Sequence, residues 1–218
     1  MSNVDDIISA YSREQHTFNI FMNSVVDTFR LDPQLNEYGN PIIHTIKSRL
    51  KDKEHLRDKI SRKADAENPI TVDNLFERVT DLAGVRVLHL YQDQFNTIHN
   101  LIESKRQAGD WFYKEPPVAY TWDPECRDYF SSLGLVPKVK ESYYTSIHYL
   151  VKPKENSPIT CEIQVRTLFE EIWGEIDHTI NYPHPSDNPS CKEQLRVLSK
   201  LVSTGTRLAD SIFRSHNS

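Results

Sequence analysis

Residues 161–167, CEIQVRT, predict a strand that runs directly into a helix. Side chains alternate between the two faces of a strand, so Glu162, Gln164 and Arg166 point to one side. The apolar residues between them point to the other side and require a core. The polar side places a carboxylate, an amide and a guanidinium in one row, which is costly to bury unless a ligand or a metal ion satisfies it. A half-buried strand with charges on its wet side is the alternative interpretation of this stretch.

The helix that follows this strand begins with a capping signal. Thr167 is a suitable N-cap residue, and Glu170 three residues later completes a capping box. The apolar residues of this helix recur at helical spacing, so we expect them to be buried. They are Leu168, Phe169, Ile172, Trp173 and Ile176.

The overall composition limits the class of protein. At 218 residues, with 38% hydrophobic and 26% charged residues, the chain is typical of a soluble globular protein. No apolar run is long enough to cross a bilayer and the first six residues are acidic and polar, so we expect a cytoplasmic protein without a signal peptide. Three cysteines without CxxC spacing argue against a disulfide framework and a zinc site. A net charge of −5 argues against a protein that coats nucleic acid.

Glycine is scarce, which limits how the chain could hold phosphate groups. Six isolated glycines provide neither a GxxxxGK[ST] loop nor a GxGxxG fingerprint, so lysine and arginine side chains would have to bind phosphates. Residues 47–63 are rich in these cations and are predicted to be helical, with Arg49, Lys51 and Lys59 as a candidate phosphate grip. A solvated helix face is the simpler interpretation, because most charge runs are exposed.

A second predicted strand follows an acidic residue. Residues 84–90 have the β-branched content of a strand, and Asp81 lies at its mouth, where loops commonly carry function. Ordinary turn chemistry or capping is the alternative role for Asp81. Residues 71–79 and 94–107 are predicted to form helices on either side of this strand.

A third predicted strand, residues 144–151, carries Tyr144, Ser146 and His148 on one face. At the rise of a strand, Tyr144 and His148 would be about 13 Å apart. An aromatic ring and an imidazole suit stacking and hydrogen bonding to a nucleoside, although both residues are also routine in half-buried strands. The proline-rich connection before this strand is predicted to contain one further strand, near residues 118–122.

Both ends of the chain are predicted to be amphipathic helices. In residues 4–29 the apolar residues recur every seven positions, in two registers. These residues are Val4, Tyr11, Phe18 and Val25, followed by Ile8, Met22 and Phe29. Residues 192–213 repeat the pattern, so we expect each terminal helix to pack on a core or on a partner.

Four motifs in order resemble the synthetase domain of the RelA/SpoT alarmone enzymes. The motifs are DLAGVRV at 81–87, YTSIH at 144–148, EIQVRT at 162–167 and WGEIDH at 173–178, preceded by Arg49-x-Lys51 and Lys59. The resemblance covers residues 44–182, leaving residues 1–43 as an N-terminal helical extension and residues 183–218 as a C-terminal helix. It implies an α+β fold, with a mixed sheet of about five strands flanked by helices in the nucleotidyltransferase-like manner.

The resemblance implies transfer of the β,γ-pyrophosphate of ATP to the ribose 3′-hydroxyl of GDP or GTP. Asp81 and Glu162 would be catalytic and would hold Mg²⁺, and Glu162 would also accept the hydroxyl proton. The ATP-binding residues by this resemblance are Arg49, Lys51, Lys59 and Arg86. The acceptor-binding residues are Lys140, Tyr144, His148, Gln164 and Arg166. Small members of the family imply a homo-oligomer, here through the terminal helices.

The chain departs from the family pattern just before Tyr144. Ser142 and Tyr143 stand where the family usually has Asn-Gly, and the approach to this loop is expanded around residues 131–136. An acceptor other than GDP or GTP, either an adenine nucleotide or the 3′ end of tRNA, is therefore the alternative, as in toxin-type relatives. A catalytically inactive nucleotide-binding module is a second alternative. The chain has no His-Asp dipeptide, so we expect synthesis without the hydrolase activity of the long enzymes.

Overall fold

The computed structural model describes residues 4–62, 69–140, 142–182 and 184–216. Within them the chain forms a mixed six-stranded sheet with seven α-helices, so the predicted α+β class is confirmed with one strand more than expected. The strands are β1 (Ile43–Leu50), β2 (Ala83–His89), β3 (Phe112–Tyr120), β4 (Val136–Lys138), β5 (Ser146–Lys152) and β6 (Cys161–Thr167). The helices are α1 (Val4–Leu31), α2 (Lys53–Arg62), α3 (Leu75–Arg78), α4 (Phe95–Gln107), α5 (Pro124–Ser132), α6 (Leu168–Asn181) and α7 (Pro189–His216).

The strand order is β1-β2-β6-β5-β3-β4. The β2–β6 and β3–β4 pairs are parallel, and the other neighbours are antiparallel. Because β2 and β6 run side by side in the same direction, the N-terminal ends of both strands lie at the same end of the sheet. Asp81 lies two residues before β2, and Glu162 is the second residue of β6. The topology therefore places the two predicted catalytic carboxylates at neighbouring strand ends.

Helix α1 packs on the apolar face of the sheet. Both predicted heptad rows are buried, except that Val4 at the helix start is only partly covered. Fully burying a side chain such as Phe18 or Phe29 stabilises the fold by about 1.5–3 kcal/mol. The N-terminal helix is thus an integral part of the core. None of the helices within the described residues has the length and apolarity needed to cross a membrane.

The helix predicted over residues 47–63 is wrong in its first half. Residues up to Leu50 belong to β1, and the helix α2 begins only at Lys53. Lysine and arginine have a high intrinsic helix propensity, but the pairing of β1 with β2 over seven positions overrides that preference. Arg49 is consequently a strand residue, and Lys51 lies in the two-residue link to α2.

The connection before β5 contains more structure than the sequence predicts. The strand expected near residues 118–122 is β3, which starts earlier and carries register shifts around its two prolines, Pro116 and Pro117. Proline cannot donate to a ladder, so a bulge accommodates it. Helix α5 and strand β4 follow, and β4 is the additional sixth strand. It tolerates Pro137 because it lies at the sheet edge.

Helix α6 fully buries only one of the five residues predicted to be inward. The capping box of Thr167 and Glu170 is present. Trp173 is buried, but Phe169, Ile172 and Ile176 are exposed, and Glu171 is buried instead. The reason is that α6 lies over the polar face of the sheet, so its inward side carries charge.

Candidate active site

The polar face of the sheet is built from side chains in register on neighbouring strands. In one row Lys47 of β1, Arg86 of β2, Gln164 of β6 and His148 of β5 are successive partners. In the next row Arg49 pairs with Gly84, and Gly84 pairs with Glu162. Strand alternation points all these side chains to the same side. Gly84 adds no side chain between Arg49 and Glu162, so the space above the polar face stays open at this position.

Asp81 is held by two of the predicted phosphate-binding lysines. The Lys59 Nζ donates to Asp81 Oδ1 at 2.6 Å, and the Lys51 Nζ donates to Asp81 Oδ2 at 3.0 Å. Burial raises the pKa of the Asp81 carboxyl, but the two ammonium groups lower it by more, so this pKa lies below its ordinary value. Asp81 is therefore ionised at neutral pH.

A buried tyrosine of α1 fixes the backbone next to Asp81. The Tyr11 hydroxyl donates to the carbonyl oxygen of Lys51 at 2.9 Å, and the Lys51 N–H donates to the carbonyl of Leu82 at 2.8 Å. Burial raises the pKa of Tyr11 to about 12, so the phenol stays protonated and keeps donating. The N-terminal helix thereby determines where Lys51 meets Asp81.

Glu162 is held by the two neighbouring residues of the polar face. His148 Nδ1 donates to Glu162 Oε1 at 3.1 Å, and Gln164 Nε2 donates to Glu162 Oε2 at 2.8 Å. Burial raises the pKa of the Glu162 carboxyl, but the hydrogen bonds from His148 and Gln164 lower it by more. The second catalytic candidate is therefore also a carboxylate at neutral pH.

Tyr144 lies closer to His148 than a continuous strand allows. Strand β5 begins only at Ser146, so the predicted spacing of about 13 Å between Tyr144 and His148 is wrong. The Tyr144 hydroxyl lies 3.0 Å from His148 Nε2, with the ring centroids 5.9 Å apart. In the tautomer whose Nδ1 donates to the Glu162 carboxylate, Nε2 can accept from the Tyr144 hydroxyl. The guanidinium of Arg166 lies 5.8 Å from the Tyr144 ring centroid.

Lys140 lies at the far side of this aromatic group. Its Nζ is 4.7 Å from the ring centroid of Tyr120, and Tyr120 makes an edge contact with His148. The predicted acceptor residues Lys140, Tyr144 and His148 are thus connected through Tyr120, which the sequence interpretation did not single out. The strand register places Tyr120 opposite Ser146, on the face that carries His148.

Glu171 of α6 is the principal residue that the sequence interpretation missed. Its carboxylate accepts from Lys47 Nζ at 2.7 Å, from Arg86 Nη1 at 2.9 and 3.1 Å, and from Nη2 of Arg166. The side chain is only 7% exposed. One buried carboxylate therefore joins cations from β1, β2 and β6. The signal that the sequence offers is weak: Glu171 lies three residues after the apolar Leu168, on the same side of the helix.

Two further contacts complete the network around Arg86. Glu175 Oε1 accepts from Arg86 Nη1 at 2.8 Å, and the Arg86 Nε donates to Gln164 Oε1 at 3.3 Å. A continuous chain of hydrogen bonds thus runs from α6 through Arg86 and Gln164 to Glu162. All predicted site residues lie on one face of the sheet or on the segments that border it. Arg49 and Lys140 lie at its opposite ends, beyond direct contact with the carboxylates.

Comparison with known proteins gives a consistent match. A family model described as the region found in RelA / SpoT proteins matches residues 48–187. The GTP pyrophosphokinase YwaC of Bacillus subtilis (strain 168) is 25% identical over 199 residues, which cover 87% of this chain and 83% of YwaC.

Two solved structures of the small alarmone synthetase 1 from Bacillus subtilis share the fold. The structure bound to its product pppGpp has a TM-score of 0.71 at 19% identity, covering 95% of this chain and 98% of that chain. The structure bound to AMPCPP has a TM-score of 0.64 at 18% identity, covering 95% and 97% of the two chains.

Proposed function

Because the chain belongs to the RelA/SpoT family, we propose that it is a (p)ppGpp synthetase, which transfers the β,γ-pyrophosphate of ATP to the ribose 3′-hydroxyl of GDP or GTP. The observation that carries this proposal is the pair of ionised carboxylates, Asp81 and Glu162, at the neighbouring ends of β2 and β6. Lysines lie on one side of this pair and an aromatic–imidazole group lies on the other.

The donor nucleotide is assigned to the lysine side. The ammonium groups of Lys51 and Lys59 lie beside Asp81. Arg49 lies opposite Gly84, and Arg86 lies in the neighbouring row of the polar face, opposite Lys47. Ammonium and guanidinium groups bind phosphate oxygens by charge-assisted hydrogen bonds without a glycine-rich loop. A relative bound to the ATP analogue AMPCPP supports a donor site of this kind.

The carboxylates suit a magnesium ion. Mg²⁺ prefers oxygen ligands and is commonly bound by one or two carboxylates together with substrate phosphates. Asp81 and Glu162 would hold the ion, which would neutralise charge on the phosphate oxygens. Among the described residues no group of three or more His, Cys, Asp or Glu side chains is arranged to hold a metal. Substrate phosphates would supply further oxygen ligands to the ion.

The acceptor nucleotide is assigned to the Tyr144 side. Tyr144 presents a ring for stacking on a purine, His148 lies between Tyr144 and Glu162, and Lys140 adds a positive charge. Gln164 continues the polar row, and Arg166, which is only 3% exposed, would act through its contact with the Tyr144 ring. Glu162, ionised and next to this group, would accept the proton of the attacking 3′-hydroxyl. A relative bound to pppGpp supports the guanine assignment.

We expect copies of the chain to associate through the outer face of α6 and α7. Within the described residues this face exposes a set of large apolar side chains. They are Phe169, Ile172, Ile176, Val197, Leu201, Leu208 and Ile212. Large exposed apolar patches on soluble proteins commonly mark interaction sites. Light scattering of the purified protein gives its mass and tests this proposal.

The function is tested by incubating the purified chain with γ-labelled ATP and a panel of acceptors. The panel contains GDP, GTP, AMP, ADP and deacylated tRNA, with products resolved by chromatography. The proposal expects label only on GDP and GTP. Label on tRNA or on an adenine nucleotide, with GDP and GTP untouched, would replace it with the toxin-type alternative. A chain that labels nothing but binds nucleotide would be the inactive module.

Lys59→Ala is expected to raise the KM for ATP by about ten- to a hundredfold, because a hydrogen bond to a charged group is worth about 1.5–3 kcal/mol. The KM for the acceptor should change little. Arg57→Ala is the matched control, since Arg57 is a cation of the same helix whose Nη2 donates to Asp5 of α1. If the two variants have the same ATP kinetics, the cations of α2 form a solvated charge run and do not bind ATP.

Tyr144→Ala is expected to raise the KM for the acceptor by about ten- to a hundredfold, because stacking of a base on an aromatic ring is worth about 1–3 kcal/mol. Tyr144→Phe keeps the ring and removes only the hydroxyl bonded to His148. Steady-state kinetics with GDP varied at saturating ATP distinguish the two. A Phe variant as impaired as the Ala variant would assign the effect to the hydrogen bond instead of stacking.

A further inference from the structure

Three consecutive residues after β3 join the C-terminal helix α7 to residues 142–145, the segment before β5 that carries Tyr144 and is called the acceptor loop. Thr121, Trp122 and Asp123 each contact a different part of the protein. Thr121 contacts Thr145, Trp122 contacts Tyr143, and Asp123 contacts α7. Tyr143 and Thr145 are the two neighbours of Tyr144, so the segment holds the backbone on both sides of the proposed acceptor ring.

Asp123 fixes one end of this connection on α7. Its side chain is only 7% exposed and accepts from Ser203 Oγ and, at 2.7 Å, from Arg207 Nη1. The same carboxylate accepts from the Glu125 N–H at 2.9 Å and caps α5. Burial raises the pKa of Asp123, but these donors lower it by more. An ionised, buried carboxylate with several donors leaves little freedom to the residues beside it.

Trp122 holds Tyr143 in an unusual backbone conformation. Tyr143 has a φ of 62°, in the left-handed region, which is strained for a residue with a Cβ. Its ring packs edge to face on Trp122, with the centroids 5.4 Å apart. An aromatic pair of this geometry stabilises the fold beyond its burial, which offsets part of that strain.

The direction of Tyr144 depends on this turn. Tyr143 and Thr145 line a small cavity against Trp173 of α6 and Ser203 of α7, whereas Tyr144 contacts His148 on the sheet face. The Thr121 and Thr145 hydroxyls, 3.2 Å apart and buried, hold the other neighbour of Tyr144. The loop is thus anchored behind the ring that meets the acceptor.

We propose that residues 121–123 and Tyr143 are positioning residues for the acceptor nucleotide, and that they make the placement of Tyr144 dependent on α7. This proposal rests on the pyrophosphotransferase function proposed above and adds the determinants of its acceptor site. The side chains act through Tyr144 and touch no reacting atom. A loop that loses the Trp122–Tyr143 contact must order itself when the acceptor binds, so affinity for the acceptor falls while the donor site is unchanged.

Trp122→Ala is the first test. We expect the KM for GDP to rise by about tenfold, the equivalent of a lost aromatic pair, with the KM for ATP within about twofold of wild type. Trp122→Phe keeps a ring against Tyr143 and should restore most of the affinity. Phe213→Ala is the matched control, because it removes a stacked ring pair between α7 and Tyr91 that lies away from the acceptor loop.

Tyr143→Gly separates positioning from stability. Glycine adopts a φ of 62° without strain, which offsets the lost ring contact, so this variant should remain folded with a melting temperature close to that of wild type. The proposal nevertheless expects a raised KM for GDP. An unchanged KM for GDP in Tyr143→Gly and Trp122→Ala, both folded, would overturn it.

Two arginines of α7 test the dependence on that helix. Arg207 binds Asp123, and Arg214 binds Asp93 with bonds of 2.6 and 2.7 Å. Arg207→Ala should raise the KM for GDP by about threefold or more, in the range of a lost ion pair, whereas Arg214→Ala should not. Equal effects of the two variants would overturn the dependence on α7.

Kinetics of the wild-type chain test the proposed function, and the comparison of variants tests the positioning role. A wild-type chain that transfers no pyrophosphate to GDP or GTP contradicts the proposed function itself. A wild-type chain that does transfer it, with variants that change the KM values for ATP and GDP equally, contradicts only the positioning role. Calorimetric titration with GDP alone measures the affinity for the acceptor without turnover. The variants must rank in the same order by this affinity as by the KM for GDP.

Discussion

Asp81→Asn and Glu162→Gln are each expected to abolish pyrophosphate transfer while the fold is retained. Each change keeps the shape of the side chain and removes its negative charge. Loss of a carboxylate that holds a metal or accepts the proton should cost at least about 3 kcal/mol of transition-state stabilisation, which is more than a hundredfold in rate. The fold should survive because Lys51 and Lys59 remain partly exposed and can be hydrated.

The measurement is turnover with labelled ATP and GDP, with circular dichroism as the check of folding. Glu103→Gln is a matched control, because Glu103 also has a lowered pKa and accepts hydrogen bonds from Tyr113 and Arg106. Glu103 lies on α4 and not on the polar face of the sheet. Its activity should stay near wild type. Near-normal turnover of Asp81→Asn or Glu162→Gln, with a normal circular dichroism spectrum, would show that the catalytic role assigned to that carboxylate is wrong.

Glu171→Ala is expected to have the largest effect on stability. The variant leaves Lys47, Arg86 and Arg166 without their shared carboxylate, and Arg166 is only 3% exposed. Breaking a buried ion pair by removing one partner costs about 3–5 kcal/mol, because an uncompensated charge stays buried. Urea unfolding gives the free energy directly, and Arg86 and Arg166 should also lose their fixed positions in the site.

Glu175→Ala is the matched control for Glu171. Glu175 lies one turn further along α6 and contacts the same arginine, but its side chain is 56% exposed. An exposed ion pair contributes about 0–1 kcal/mol, so this variant should unfold close to wild type. Similar losses in the two variants would mean that burial does not determine the contribution of Glu171.

The pH dependence of stability follows from the same contacts. Burial raises the pKa of the Glu171 carboxyl, but Lys47, Arg166 and Arg86 lower it by more. A carboxyl group whose folded pKa is depressed stabilises the fold fully above its unfolded pKa of about 4.3. That stabilisation is lost as pH falls through the lower folded pKa. In Glu171→Gln, the loss of stability with acid should therefore be shallower.

The local sequence determined the parts of this protein that depend on neighbouring residues. The alternation in residues 161–167 predicted both faces of β6, and the Thr167–Glu170 box predicted the start of α6. The heptad rows of residues 4–29 predicted the buried side of α1. Strand alternation, capping and helical period act over a few residues, so a single sequence contains them. The ordered motifs also indicated the family.

Tertiary structure alone decided which distant residues meet. Lys47 belongs to a strand because β2 lies beside it, although its neighbours favour a helix. Glu171 is buried because α6 covers a cationic sheet face, 124 positions along the chain from Lys47. The turn at Tyr143 brings Tyr144 onto His148 because Trp122 supports it. Such contacts join segments far apart in the chain, and the local pattern of each segment does not specify its partner.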